Sequence, residues 1–418
     1  MNASLNTPTT SPAAGMVIIG GGLTAATAAE ALRKEGYGGA VTIVAAEAEV
    51  PYQRPPLSKG FLAGKEDDNA LLPLPAHWYG ENNVTLVTGV TATALDPTAH
   101  TVTLDDGTTL PYAKALIATG AAPRRIPLPG VDLEGVYTFR TKADSVALKL
   151  KFAGGGHHVV MIGSGWIGME IAATATELGN HVTLLGLEDV PLSAAIGTTL
   201  GTVFMDRHKE AGVTFLLPAS AAEIQGGNGA ATHVLTTTGV SLPADIVIVA
   251  VGVVPNIALA QGAGLTINNG IEVTAGLQTS EPDVFAAGDV ANARHPFTGA
   301  LARSEHWANA IAGGKVAARS MLGQDAVLDD IPYFYTDQFD LGMEYSGFGA
   351  LTKDAELVIR GSLEKREFIA FWLLDGRLVA GMNVNIWDVQ DTIKELISSQ
   401  RILDTLKLAD PQTPLEAI

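Results

Sequence analysis

Twice in this chain an unbroken apolar run of four residues ends in glycines and gives way to an alanine-rich stretch: Met16 to Ala25 (MVIIGGGLTA) and Val159 to Gly168 (VVMIGSGWIG). Each apolar run predicts a buried strand, and each stretch after the glycines predicts a helix. Both copies are followed by a second apolar run that closes on an acid at the same offset, Val41 to Glu47 (VTIVAAE) and Val182 to Glu188 (VTLLGLE). Further on, His100 to Gly120 is echoed by Thr232 to Gly252, each predicting a hairpin, with its turn at Asp106-Gly107 or Thr238-Gly239, that feeds a buried strand. Strand, glycine turn, helix and terminal acid recurring in order predict two Rossmann-like nucleotide-binding modules. After residue 327 the pattern changes to alternating strands, LVIRGSL, FIAFWLL and RLVAGMNV, with a turn at Asp375-Gly376 and a helix from Asp388 to Ser398. This segment reads as a small α+β domain, with Trp372 and Trp387 in core or inter-domain packing. The expected fold is therefore α/β, two Rossmann-like modules and a carboxy-terminal α+β domain.

A G-x-G-x-x-G turn lets backbone approach a pyrophosphate and aims a helix N-terminus at it, so two copies imply two dinucleotides. At 418 residues, 47% of them apolar, the chain exceeds what one core organises. No apolar run reaches the length of a membrane span, and residues 1–15 lack the basic start and apolar centre of a signal peptide. A cytoplasmic protein with a disordered start, 1–15, is expected. A net charge of −18 opposes non-specific binding to nucleic acid or anionic membranes. Cysteine is absent, which excludes disulfide reduction, sulfenate peroxidase chemistry and Cys-ligated iron–sulfur clusters.

A third signature, Thr279 to Val290 (TSEPDVFAAGDV), puts Asp289 after a short strand and two small residues. With PYQRPPLSK (Pro51 to Lys59), GSGWIGMEIA (Gly163 to Ala172), EHWANA (Glu305 to Ala310) and YFYTDQFD (Tyr333 to Asp340), it resembles FAD-dependent, NADH-using reductases of ferredoxins and rubredoxins. These are the flavoprotein components of bacterial oxygenase systems, of the putidaredoxin-reductase type, and the resemblance runs from Val17 to about Asp410. It implies an FAD-binding domain over 16–117 and 250–326, an NAD-binding domain over 118–249 inserted in it, and a carboxy-terminal reductase domain over 327–418. In the first module Gly20, Gly22 and Ala25 would hold the FAD pyrophosphate and Glu47 the adenosine ribose, although a strand-end acid is also simply solvated. Arg54 and Lys59 are similar to the family's residues beside the flavin, and because that basic pair remains, Gln53 in place of the Asp of some relatives is expected to matter little. Asp289 would bind the ribitol, with the Val290 amide beside it, and Arg124 is similar to a family arginine near FAD, where an ordinary surface arginine competes as a reading.

In the second module the resemblance assigns Gly163, Gly165 and Gly168 to the pyrophosphate of NADH, and Ile167 and Glu170 to the nicotinamide. Glu170 is expected to pair with Lys59, or to complement the dipole of its helix, or both. Glu305 and Trp307, at the start of a helix with His306, would line the flavin and nicotinamide, with plain packing the competing role for Trp307; Tyr335 stands where many relatives carry a Trp. Lys59, Glu170 and Glu305 are thus the candidate catalytic residues. The chain departs from the family at Gly186, where an acid is usual; Glu188 becomes the candidate ribose contact, and two acids with no Arg or Lys across 186–190 favour NADH over NADPH. The implied partner is a transiently docked ferredoxin or rubredoxin, met through Arg124, Arg125, Arg360, Lys365 and Arg366, by a monomer or homodimer that binds no nucleic acid and no membrane. Two other readings remain, an NADH oxidase or small-acceptor reductase and a redox-sensing scaffold like the apoptosis-inducing factors.

Overall fold

The first strand, Gly15–Ile19, starts one residue before the expected boundary, at a glycine where a β-carbon would overlap Ala40. The structure, a computed structural model, describes residues 14–418; residues 1–13 of the segment expected to be disordered lie outside the described residues. The first strand pairs in parallel with Val41–Ala45 on one side and Thr109–Ile117 on the other. Val84–Thr88 extends the sheet beyond Val41–Ala45, and Val284–Ala286 joins it in parallel beside residues 115–117. Strands buried on both faces read as continuous apolar runs, which is why MVII carries no alternation. The helix Leu23–Lys34 packs against Trp307–Met321, where Gly314 sits too close to Thr24 and Thr27 for any side chain. The chain thus returns to the first module after the second is complete.

The second sheet is parallel throughout, in the order 214–216, 181–185, 158–162, 246–249, 136–137. Its hairpin turns at Gly239 as the first module's turns at Gly107, both at φ +85. The return strand differs between the copies. In the first it runs unbroken from Thr109 to Ile117; in the second it is split into Ser241–Pro243 and Ile246–Val249, and at the split the Asp245 carboxylate accepts from the His158 N–H. Two short antiparallel strands, Ala121–Pro123 and Val253–Pro255, carry the chain between the modules.

The third sheet is antiparallel, with strands 333–338, 341–347, 377–384, 367–374 and 356–362 side by side in that order. Asp375 and Gly376 both have positive φ, +50° and +74°, the two-residue turn whose twist matches its flanking strands. The helix begins at Gln390 and not at Asp388, because Asp388 is left-handed at φ +61°. Trp372 is buried in a core shared with the second module, beside Met343 and Tyr345 and continuous with Met169 and Phe204. Trp387 is not packed as expected: it is 54% exposed, with its ring lying over Gly342.

Candidate functional site

Gly20 and Gly163 occupy equivalent places at the ends of the two leading strands, at φ +131° and +119°. A β-carbon at either would overlap the carbonyl oxygen at the end of the return strand, Ala118 in one module and Ala250 in the other. Gly22 and Gly165 face open space, and each caps a helix, Leu23–Lys34 or Trp166–Glu177, without a side chain over the first turn. Free first-turn N–H groups beside a cradle that a β-carbon would fill are what a pyrophosphate requires. Gly168 abuts the Gly163 carbonyl, whereas Ala25 in the corresponding slot is fully buried with its methyl accommodated. The two turns therefore fit two dinucleotides by backbone shape.

Around the first turn, Glu47 stands two residues past its strand and is held from two sides. It accepts from Tyr52 Oη at 2.5 Å and from Arg54 Nη2 at 3.0 Å. Burial and the neighbouring carboxylate raise the Tyr52 pKa, so the phenol keeps its proton and donates. Arg54 also donates to the Arg140 carbonyl oxygen at 2.6 Å. Arg140, which sequence reasoning missed, donates through Nη2 to Asp289 Oδ2 at 2.6 Å, and its buried Nε has no partner. Its only sequence signal is local: it directly precedes the reciprocal helix cap of Thr141 and Asp144. Arg303 Nε and Ser304 Oγ are likewise buried without partners, so unsatisfied donors gather near Asp289, whose carbonyl Arg303 reaches at 3.3 Å. Val290 is fully buried in the turn Gly288–Val290. Arg124 is exposed, with its N–H donating to the Gly252 carbonyl.

Between the modules Lys59 and Glu170 meet. Lys59 ends the loop of the first module, Glu170 lies early in the helix of the second, and Nζ stands 2.9 Å from Oε1. The carboxylate is 4% exposed and takes two more donors, Ser58 Oγ to Oε2 at 2.5 Å and Thr336 Oγ1 to Oε1 at 2.6 Å. Three parts of the chain thus converge on one buried carboxylate. Arg54 and Lys59 do not form a basic pair, since each is committed to a different acid. The Lys59 ammonium lies 5.4 Å from the Tyr335 ring centroid, and Trp307 stands edge-on to Tyr335 at 6.3 Å. Lys59 and Tyr335 line a cleft of about 230 Å³ with Pro55, Thr174 and Asp337.

Other candidates lie at or just before helix starts. Glu305 and His306 precede the helix, which begins at Trp307, and Glu305 is turned outward in an ion pair with Arg303. Glu188 caps the helix Ser193–Glu210, accepting from Ser193 Oγ at 2.8 Å and from the Ala194 N–H at 3.3 Å. Gly186 lies against Ser164 Oγ, which occupies the space a side chain at 186 would enter. Ile167 is exposed on the first turn of its helix. Of the basic residues named for docking, Arg360 is spent on the carbonyl oxygens of Asp410, Pro411 and Thr413, and Arg366 on Glu210.

His306 stacks on Phe334 with centroids 4.5 Å apart, and burial pulls its pKa from 6.5 to about 4. It stays neutral in the fold at a pH where the unfolded chain is already protonated. Its contribution is therefore fully present above about 6.5 and is lost as the pH falls toward 4. Melting temperatures between pH 7 and 4 are expected to fall less steeply in His306→Phe, which keeps the stack without the titration; an unchanged acid limb would refute this.

Among the described residues no group of His, Asp and Glu is placed to hold a metal ion, and no helix is long and apolar enough to cross a membrane. Residues 15–314 match the family model "pyridine nucleotide-disulphide oxidoreductase", and 333–418 match "reductase C-terminal". The chain is 36% identical to the ferredoxin–NAD(+) reductase component of the anthranilate 1,2-dioxygenase system of Burkholderia cepacia, covering 96% of this chain and 98% of that one. It is 32% identical to a rubredoxin–NAD(+) reductase of Pseudomonas putida, over 89% and 96%. Among solved structures, the reductase of a covalent putidaredoxin reductase–putidaredoxin complex superposes with a TM-score of 0.92 at 30% identity, over 97% and 98%.

Proposed function

Because the chain belongs to the pyridine nucleotide-disulphide oxidoreductase family yet has no cysteine, we propose that it is an FAD-dependent NADH:ferredoxin or rubredoxin reductase feeding an oxygenase. The disulfide chemistry in the family's name is closed to it, and its relatives named for iron–sulfur or iron protein partners span nearly its whole length. The observation that carries the reading is the buried Lys59–Glu170 pair, one partner from each module, beside the cleft that Lys59 and Tyr335 line.

In this reading FAD lies along the first module, 16–117 with 250–326, and NADH along the inserted 118–249. Bound there, the flavin supplies two-electron acceptance and one-electron release. The protein binds and orients. Gly20, Gly22 and Ala25 admit one pyrophosphate, and Gly163, Gly165 and Gly168 the other. Glu47, preset by Tyr52 and Arg54, accepts from ribose hydroxyls, while Asp289 and Arg140 take the polar middle of the FAD. Glu170, oriented by Ser58, Thr336 and Lys59, accepts from the carboxamide, and Lys59 sets a positive charge beside the reacting edge. With Gly186 bare, Glu188 is the acid nearest in sequence to the nicotinamide dinucleotide's ribose, and one of its oxygens is already held by Ser193. The work is placed in the cytoplasm.

Anaerobic stopped-flow of the FAD-loaded protein tests this. NADH is expected to bleach the flavin faster than NADPH, and a [2Fe-2S] ferredoxin to reoxidise it far faster than oxygen or a quinone. Reoxidation preferring the quinone would make it a small-acceptor reductase, and slow reduction with a change of oligomeric state would make it a redox-sensing scaffold.

A further inference from the structure

Gln53 is held from both ends of its amide. Its Oε1 accepts from Trp307 Nε1 at 2.8 Å, its Nε2 donates to the Ala70 carbonyl at 3.0 Å, and its backbone N–H donates to the Leu71 carbonyl at 2.8 Å. The indole N–H is only a donor and the carbonyl only an acceptor, so a side chain serving both must carry one donor and one acceptor. A primary amide does. The carboxylate of an Asp would accept from the indole but face the Ala70 carbonyl with a second acceptor, and it is one methylene shorter. The expectation that an amide at this position matters little left out these partners; Arg54 and Lys59 both remain, each paired with a different acid.

The indole partner lies close to the proposed chemistry. Trp307 meets Tyr335 edge to face, and Tyr335 carries the Lys59 ammonium over its ring. Gln53 stands three contacts from the Lys59–Glu170 pair and joins segments 254 residues apart. We propose that Gln53 is a positioning residue, its neutral amide fixing the Trp307 indole against Tyr335 without adding a charge there. This rests on the reading of the surroundings of the Lys59–Glu170 pair as the flavin site.

The test uses FAD-loaded protein with ¹⁵N-labelled indoles, comparing Gln53→Ala, Gln53→Asp, Trp307→Phe and the double variant Gln53→Ala/Trp307→Phe. Trp307→Phe identifies the Trp307 N–H resonance among the five tryptophans. In Gln53→Ala that resonance is expected to move upfield as its hydrogen bond is lost, and the rate constant for flavin reduction by NADH to fall about tenfold. In the double variant the loss should equal that of Trp307→Phe alone, because both substitutions remove one linkage. Gln53→Asp keeps an acceptor for the indole, so its resonance should stay downfield. Its flavin midpoint potential should move negative, because a new carboxylate disfavours the anionic reduced form. A resonance unmoved in Gln53→Ala, additive rate losses, or a Gln53→Asp potential equal to that of the parent would each overturn the proposal. Should Gln53→Ala not retain FAD, Gln53→Met, of similar length without polar atoms, is read in its place. The indole spectrum needs no nicotinamide, so a protein that NADH fails to reduce would sink the proposed function and leave this linkage to be judged by itself.

Discussion

Lys59→Met is expected to cost about 3 kcal/mol of stability and to slow flavin reduction by about two orders of magnitude. The stability loss follows from the environment of Glu170. Its carboxylate is 4% exposed and its two other donors, Ser58 and Thr336, are neutral hydroxyls, so removing the ammonium strands a buried charge. The opposite truncation is milder. In Glu170→Gln the ammonium keeps the Pro55 carbonyl at 3.2 Å and the amide still accepts from one hydroxyl, so about 1 to 2 kcal/mol is expected. The double variant Lys59→Met/Glu170→Met separates the roles. With no charge left to bury, much of the stability should return, while flavin reduction stays as slow as in Lys59→Met. Denaturant unfolding and single-turnover reduction on the same preparations read both quantities. If the double variant recovered rate along with stability, the pair would be a packing device and the site would have to be sought elsewhere.

The frame of the molecule was legible because its rules are local. An apolar run, a glycine at positive φ and a helix opening without a capping side chain are consequences of a few adjacent residues, and they recur at Gly20 and Gly163 with the same neighbours. The Lys59–Glu170 pair was legible by resemblance alone, since nothing local to either residue points to the other. Arg140 was not legible at all: it meets Asp289 across 149 residues, and only the way the chain comes back to the first module after the second brings them together. Gln53 was seen without its partners, because Ala70 and Trp307 come from a turn and a helix that no periodicity connects to it. Glu188 has a second partner that the repeat does not show. The internal repeat aligns it with Glu47, and the helix that follows begins where one of its oxygens caps it, because a free N-terminus draws a nearby carboxylate.

Gly163→Ala and Gly165→Ala, two residues apart, are expected to fail in different ways. At Gly163 φ is +119° and the new methyl would overlap the Ala250 carbonyl, so the leading strand and the return strand must part. A loss of about 3 kcal/mol or more is expected, with the second module disordered and nucleotide binding abolished as a consequence. At Gly165 φ is −81°, which alanine adopts freely, and nothing stands within 4 Å of the new β-carbon. Stability should change by no more than about 0.5 kcal/mol, since a stiffer unfolded chain offsets any small loss. What the methyl does fill is the approach to the N-terminus of the helix Trp166–Glu177, where the amides have no side-chain cap. The affinity for NADH is therefore expected to fall about a hundredfold in a protein that melts like the parent, an effect of about 2.7 kcal/mol on binding alone. Gly22→Ala, at φ −98° and equally open, should do the same to FAD, yielding a folded protein that loses its colour on dialysis. NADH titration and thermal melts decide between steric exclusion of a pyrophosphate and disruption of the fold. A Gly165→Ala variant that binds NADH as tightly as the parent would mean that no pyrophosphate comes to this turn, and the second module would lose its assignment as a nucleotide site.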